Sequence, residues 1–403
     1  MTSVTRGIVT LLLIFCGTAL LPACHPPKTS AHHSLRGRMD VLQFRWRRQL
    51  YSNTPDFIIP QFYERYDRFQ PVETAGAAFD TDRRRVFIGA AVGGFYCLDA
   101  GTGKTVWRRD FDDPIGSTPV YDSARSRVYV GADDGFLHAF HSRSGRRIWT
   151  VDTGAELRRN IWMVADTLFA VNADNTVVAV DPQGGEIVWR YRRSPVEGFS
   201  SVSYADLNLV DGTIYAGFSD GILAAIDAGT GQEKWTADLA AEVVASAGGE
   251  DVLLVDVDAT PVVAGNRVIA ATLTGGVQAV DAASGSLLWT RPDLDMVTGL
   301  AFVNGEVQAV RAGDRGLVSL SVETGETLLE SRFGLGLKFD PVVYDDLLLI
   351  PDTEAGLYMV SAGTGRVLNL LDVNGGFFAR PTIHAGYLLI MGNWTTLFSF
   401  AIN

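Results

Sequence analysis

Cysteine is scarce. The 403-residue chain holds three, Cys16, Cys24 and Cys97, none adjacent to another and none in a Cys-x-x-Cys-His arrangement. That excludes a disulfide framework, a covalent haem site and a thiolate zinc cluster. Histidine is nearly as rare at six, and His138 and His141 lie three apart on a strand-like run, on opposite faces, where a shared metal is not expected. Positive charge is in deficit: the net charge of −12 argues against broad nucleic-acid binding, which works by neutralising phosphates. Long apolar runs are absent apart from residues 8–21, which are too short to span a hydrocarbon core of ~30 Å comfortably. Helical periodicity is missing between the glycine-rich turns. What remains is 47% hydrophobic and 20% charged, enough apolar matter for a large core.

That apolar matter is organised by a repeat. Asp99-Ala100-Gly101-Thr102-Gly103 is followed by Trp107, and the pattern of a polar start, a fixed glycine and Trp four residues on recurs at Gly145 with Trp149, Gly185 with Trp189, Gly231 with Trp235 and Gly285 with Trp289. Asp caps the backbone of a tight turn and Gly takes its positive φ, so each copy reads as a hairpin. The Trp stands on the following strand, with roughly 150 to 250 Å² available to bury against a neighbouring repeat. Adding Gly325 and Gly365, the intervals between glycines are 42, 40, 46, 54, 40 and 40 residues. A period near 40 filled with short β runs matches a propeller blade of four antiparallel strands. In the first copy these runs are residues 75–79, 85–90, 94–98 and 105–111. Pro119, Pro261, Pro341 and Pro381 begin first strands, where a missing N–H is tolerated on the edge lining a central channel.

The last repeat stops short. Residues 387–391 and 396–401 supply second and third strands, and the sequence ends before a hairpin. Phe44-Arg45-Trp46-Arg47-Arg48-Gln49-Leu50 resembles a fourth strand such as Val106-Trp107-Arg108-Arg109, so an N-terminal strand is expected to close the last blade and hide the sheet edges. The expected fold is all-β, an eight-bladed propeller over residues 41–403. The Trp position decays to Leu329 and then Asn369, which predicts weaker packing of those outer strands. Three insertions, residues 51–71, 191–201 and 239–255, fall between a fourth strand and the next first strand and so on one face. The aromatic-rich first insertion is either a partner surface or a plug over the channel.

At the N-terminus, Arg6 precedes the apolar run and Leu21-Pro22-Ala23-Cys24 follows it. The pattern is that of a secretory signal over residues 1–23, and Leu-x-Ala-Cys resembles the lipobox of bacterial lipoproteins. That resemblance implies cleavage before Cys24 and acylation of it; the alternative is an ordinary secretory signal with an incidental cysteine. His25 in place of Asp gives no inner-membrane retention signal, so the expected location is the periplasmic face of an outer membrane. Residues 24–40, rich in turn formers, read as a tether.

The Asp-x-x-Ser/Thr-Gly-x-x-x-Trp repeat resembles the PQQ-type propeller repeat. One family with that repeat, the quinoprotein dehydrogenases, implies a PQQ cofactor, calcium and an adjacent-cysteine disulfide, and the chain has no such cysteine pair. The other is the BamB family of lipoproteins, subunits of the outer-membrane β-barrel assembly machinery. Asp256-Val257-Asp258-Ala259-Thr260-Pro261-Val262-Val263 is similar to that family's Asp-Val-Asp-x-Thr-Pro-Val-Val segment. This resemblance implies a non-catalytic scaffold with no cofactor and no metal, a monomer within a larger complex. It also implies that Asp256 and Asp258 help to bind the periplasmic domains of the central barrel protein. A second contact loop of the family corresponds to Ser194-Pro195-Val196-Glu197-Gly198, where Glu197 stands in place of Arg. The plain structural reading of Asp256 and Asp258 is a turn pair satisfying backbone donors. The alternatives in function are a PQQ-dependent oxidoreductase and a propeller binding another envelope protein or polymer.

Overall fold

A computed structural model describes residues 28–31, 41–50, 72–194, 205–241, 255–373, 375–393 and 395–402. They form eight antiparallel sheets, with a 3-10 turn at Gly313–Arg315. The first blade runs from the inside outward as Ala77–Asp80, Arg85–Gly89, Gly94–Asp99 and Thr105–Asp110. Blades two to seven span residues 120–152, 162–192, 208–238, 262–291, 297–331 and 342–372. Blade eight takes its inner three strands from residues 382–402 and its outer strand, Leu42–Gln49, from the other end of the chain. The expected closure is therefore present, in the register Leu42↔Ile402. Pro119, Pro261, Pro341 and Pro381 each precede an innermost strand, as their missing donor requires.

The core lies between blades. Each buried cluster is built from two adjacent sheets, and one of them joins Leu389, Met391, Leu397 and Trp46 of blade eight to Val86, Ile88, Tyr96 and Leu98 of blade one. Second and third strands are buried on both faces, which is why Thr176–Val180 and Gly356–Ser361 read as continuous apolar runs rather than alternating ones.

The repeated motif is a clamp between blades. In the hairpin at Asp99, the carboxylate accepts the Thr102 N–H at 2.9 Å and the Thr102 hydroxyl at 2.7 Å, which holds it below the usual carboxylate range, and the Gly103 N–H donates to Asp99 O at 2.8 Å. Gly103 has φ +68°, and a Cβ there would lie 2.6 Å from the ring of Trp46 in the preceding blade. The same contact recurs for Trp107 on Gly145, Trp149 on Gly185, Trp189 on Gly231, Trp235 on Gly285 and Trp289 on Gly325. Each indole N–H also donates, at 2.8–3.2 Å, to the carbonyl of the second residue of that hairpin, from Ala100 through Ser142, Pro182, Ala228 and Ala282 to Val322. The glycine gives the indole a flat seat and the carbonyl of the hairpin's second residue gives it a partner.

The loss of Trp at position 369 has a topological cause, whereas the loss at 329 does not. Leu329 sits on Gly365 without a donor. Asn369 would have to clamp a hairpin between the third and fourth strands of blade eight, but those strands come from opposite ends of the chain, so no such hairpin exists. Asn369 is 2% exposed, and its side-chain oxygen accepts the Leu370 N–H at 2.9 Å. Weak packing, expected from the sequence, is not found there.

Residues Lys28–Ala31, within the stretch read as a tether, pair with the outer strand of blade seven in the register Lys28↔Asp372, making that sheet five-stranded. Among the described residues no helix is long and apolar enough to cross a membrane.

Candidate partner-binding site

One face of the ring carries the hairpins with their clamps. The opposite face carries the turns between second and third strands together with the segments that cross from one blade to the next, and the Asp256–Asp258 segment lies there. Its position is set by Val257. In three blades an apolar residue of the crossing segment presses on a glycine at the end of a second strand: Ile115 on Gly89, Leu157 on Gly131 and Val257 on Gly217. Each donates its N–H to the residue after that glycine, at 3.1, 3.1 and 3.2 Å. Val257 is fully buried and bridges to Thr272. This fixed point places the two aspartates differently. Asp256 is 1% exposed, whereas Asp258 is half-buried and lines a cavity of about 210 Å³ on the propeller axis.

The cavity wall is polar and tied together across blades. Asp206 accepts hydrogen bonds from Asn160, from the Trp162 indole at 3.0 Å and from the Leu207 N–H at 2.8 Å, while its own N–H donates to the Thr260 hydroxyl at 3.0 Å. Thr260 in turn donates to Asp340, which accepts the Leu300 N–H at 3.1 Å. These residues occupy equivalent positions four before the end of each innermost strand, so the ring geometry brings together side chains far apart in sequence. Burial pushes Asp206 up to about 6, against the hydrogen bonds of Trp162 and Leu207 and the charges of Arg159 and Arg380. Burial likewise raises Asp340. It lowers Arg159, opposed by Asp206, Asp258 and Asp256. Phe339 and Phe378, with ring centroids 5.9 Å apart, complete the wall.

Further out on this face, Glu73 is fully buried, accepts the Ala91 N–H at 2.9 Å, and is pushed by burial up to about 7. Lys338 and Asp352, both fully buried, form an ion pair at 3.5 Å. Asp352 also accepts backbone N–H groups from Leu335, Gly336, Glu354 and Ala355, and Lys338 donates to the Gly313 carbonyl, stitching blade six to blade seven. Such a pair survives burial because its remaining hydrogen-bonding capacity is met. Nothing in the local sequence marks Glu73, Asp206 or Lys338, since their environment is made by neighbouring blades. Glu197 and the aromatic insertion 51–71 lie outside the described residues, as does Cys24.

The wall does not suit the quinone cofactor of the dehydrogenases that share this architecture. That group is a tricarboxylate, and here it would meet four carboxylates, Glu156, Asp206, Asp258 and Asp340, against three lining guanidiniums, Arg158, Arg159 and Arg380. Among the described residues no group of three or more His, Cys, Asp and Glu is placed to hold a metal ion. His138 is 3% exposed, between Thr150 and Asp134, in the interior of blade two.

Hairpin, clamp and closed ring define an eight-bladed propeller of the PQQ-like repeat class. A family model described as outer membrane protein assembly factor BamB matches residues 45–160, 96–327 and 273–368, and the chain belongs to that family. A relative of the same name from Yersinia pestis is 26% identical over 352 residues, which is 83% of this chain and 84% of its own. The crystal structure of BamB from Moraxella catarrhalis superposes with a TM-score of 0.67 at 20% identity, covering 83% of this chain and 98% of that one. A quinohemoprotein alcohol dehydrogenase from Pseudomonas putida HK5 reaches a TM-score of 0.65 at 13% identity, covering 90% and 76%. These two structural likenesses establish the shared fold alone.

Proposed function

We propose that this protein is a non-catalytic scaffold in the assembly of outer-membrane proteins, binding the periplasmic domains of the central barrel protein through the face that carries Asp258. The observation that carries the reading is the family match across residues 45–368, joined to a face whose acidic loop is held rigid by Val257. The two aspartates divide the work: buried Asp256 fixes the loop, and Asp258, at the rim of the axial cavity, meets the partner. Glu197 belongs to the same contact, and its charge requires a partner surface altered to match. Acylated Cys24 holds the protein to the periplasmic face of the outer membrane.

Affinity capture from detergent-solubilised envelope tests the reading. The barrel-assembly protein is expected among the captured partners, and Asp258→Lys is expected to deplete it; its absence from the parent capture would overturn the proposal. Mass spectrometry of the purified protein should find lipid on the N-terminal peptide, and Cys24→Ser should remove it. Dye reduction with an alcohol or sugar after addition of PQQ and calcium would instead make the protein an oxidoreductase.

A further inference from the structure

The outer strand of blade eight, Leu42–Gln49, gathers three exposed arginines without a carboxylate partner, whereas among the described residues the other outer strands carry at most one arginine each without such a partner, Arg109, Arg147 and Arg190 in blades one to three. Arg108 in blade one pairs with Asp110 at 2.5 Å, Arg192 in blade three with Asp174 at 2.6 Å, Lys234 in blade four with Asp227 at 3.6 Å and Arg291 in blade five with Asp293 at 2.7 Å. Arg45, Arg47 and Arg48 are all exposed, and among the described residues none has a carboxylate within ion-pair distance. Arg45 lies over the ring of Tyr387 at 4.5 Å and remains exposed. Phe44, 39% exposed, stands beside it on the same strand. Arginines on an edge strand also discourage sheet-to-sheet pairing, but that role does not require three unpaired charges on one short strand in a chain of net charge −12.

The path of the chain adds a second, independent observation. Lys28–Ala31 pairs along the outer strand of blade seven, next to this rim, with Lys28 opposite Asp372. Val367–Asp372 runs from its hairpin toward the face of the crossing segments, so the antiparallel Lys28 end points to that same face. Three residues separate Lys28 from Cys24, a covalent reach of about 14 Å at most. An N-terminus fixed there brings the blade-eight rim within reach of any surface to which Cys24 is attached.

We propose that the rim formed by Phe44, Arg45, Arg47 and Arg48 docks on the anionic phospholipid headgroups of the bilayer, so that the propeller stands with blades seven and eight toward the membrane. Arginines neutralise lipid phosphates while the phenylalanine enters the headgroup layer, the combination that interfacial binding uses. The proposal borrows from the lipoprotein reading only the place of the anchor. The basic rim acts on anionic lipid whether or not Cys24 is acylated, so the two readings fail separately.

All described structure lies within residues 28–402, so the chain from residue 24 onward, carrying Cys24→Ser, is the protein to test. It is incubated with large unilamellar vesicles of phosphatidylcholine alone, or with about a third phosphatidylglycerol, and co-flotation is measured at low and high salt. Binding is expected to depend on phosphatidylglycerol, to fall at high salt, and to drop by about tenfold or more in Arg45→Glu/Arg47→Glu/Arg48→Glu. A control, Arg143→Glu/Arg146→Glu, changes two exposed arginines at a blade-two hairpin and should bind like the parent. If the glutamate triple fails to fold, the glutamine triple reads the same surface without reversing charge. Absence of lipid-dependent binding, equal loss in the control, or undiminished vesicle binding by a triple variant that no longer captures the barrel-assembly protein would each overturn the proposal. The last outcome would make the rim a protein contact.

Discussion

The two faces of the ring obey different rules. On the hairpin face one sequence pattern is executed six times with the same geometry: a Trp over a positive-φ glycine and an indole hydrogen bond to one carbonyl. On the opposite face three blades share an apolar residue seated on a second-strand glycine, but the polar groups differ from blade to blade. Blade four's crossing segment is followed by Thr260 and reaches Asp340, blade seven buries a Lys–Asp pair, and blade one buries a lone glutamate. Stability is concentrated where the chain repeats itself, and the proposed contact lies where it does not. The hairpin face can be rigid because its indoles and its turn carboxylates are both satisfied by hydrogen bonds. The other face carries buried charge, which costs stability unless its hydrogen bonds are met.

The largest effect is expected from breaking a clamp. Trp107→Ala removes a ring that is 7% exposed, its seat on Gly145 and its hydrogen bond to Ser142, and should lower unfolding stability by about 3–5 kcal/mol in denaturant titrations. Gly145→Ala attacks the same contact from the other blade, through both φ +65° and a Cβ placed 2.7 Å from the indole. The double variant should therefore cost less than the sum of the two single changes. A cost no larger than that of an ordinary surface substitution would abolish the distinction between the faces.

The opposite face should respond to pH instead. Glu73, pushed up to about 7 in the folded state, keeps a proton between pH 4.5 and 7 that the unfolded chain has released. Stability therefore falls as pH rises through that window. Glu73→Gln escapes this penalty and should gain on the order of 3 kcal/mol at pH 8, shrinking to nearly nothing at pH 4. Chemical denaturation of both proteins at the two pH values checks the sign. A gain independent of pH would show that the carboxyl is not held neutral by burial.

The hairpin face was legible in the chain because Asp99, Gly103 and Trp107 recur at fixed spacing, and a period near 40 with Pro at inner-strand starts has few solutions besides a propeller. Closure was legible from Trp46, whose neighbours copy a fourth strand. The axial site was not legible, because Asn160, Asp206, Thr260 and Asp340 become neighbours only when the ring closes. Nor did the alternation of Asp256, Val257 and Asp258 disclose their burial: a strand would turn both aspartates to one side, whereas the segment makes a single bridge at Val257 and buries Asp256. Asn369 looked like a defect in the repeat until the split origin of blade eight showed that it has no hairpin to clamp.

A gentler change sharpens the comparison from the weak side of the repeat. Leu329 already rests on Gly365, and the Ala362 carbonyl occupies the place of the usual indole acceptor. Leu329→Trp should complete a seventh clamp and raise stability by about 1 kcal/mol, the size of one added hydrogen bond with aromatic contact, read as an increase in thermal midpoint.

The smallest stability effect is expected at the residue assigned the most direct role in binding. Asp258 is half-buried on a cavity wall where Asp206 and Asp256 also face Arg159, so Asp258→Asn removes one of three carboxylates from that guanidinium and should change stability by no more than about 0.5 kcal/mol. Asp256→Asn, in a side chain 1% exposed, should cost about 1–3 kcal/mol through the buried partners it disturbs. In capture experiments the order should reverse: at matched folded protein, Asp258→Asn loses partner while Asp256→Asn retains most of it. If both variants lost partner in proportion to lost stability, the acidic loop would be a structural element only, and the contact would have to be sought elsewhere on that face.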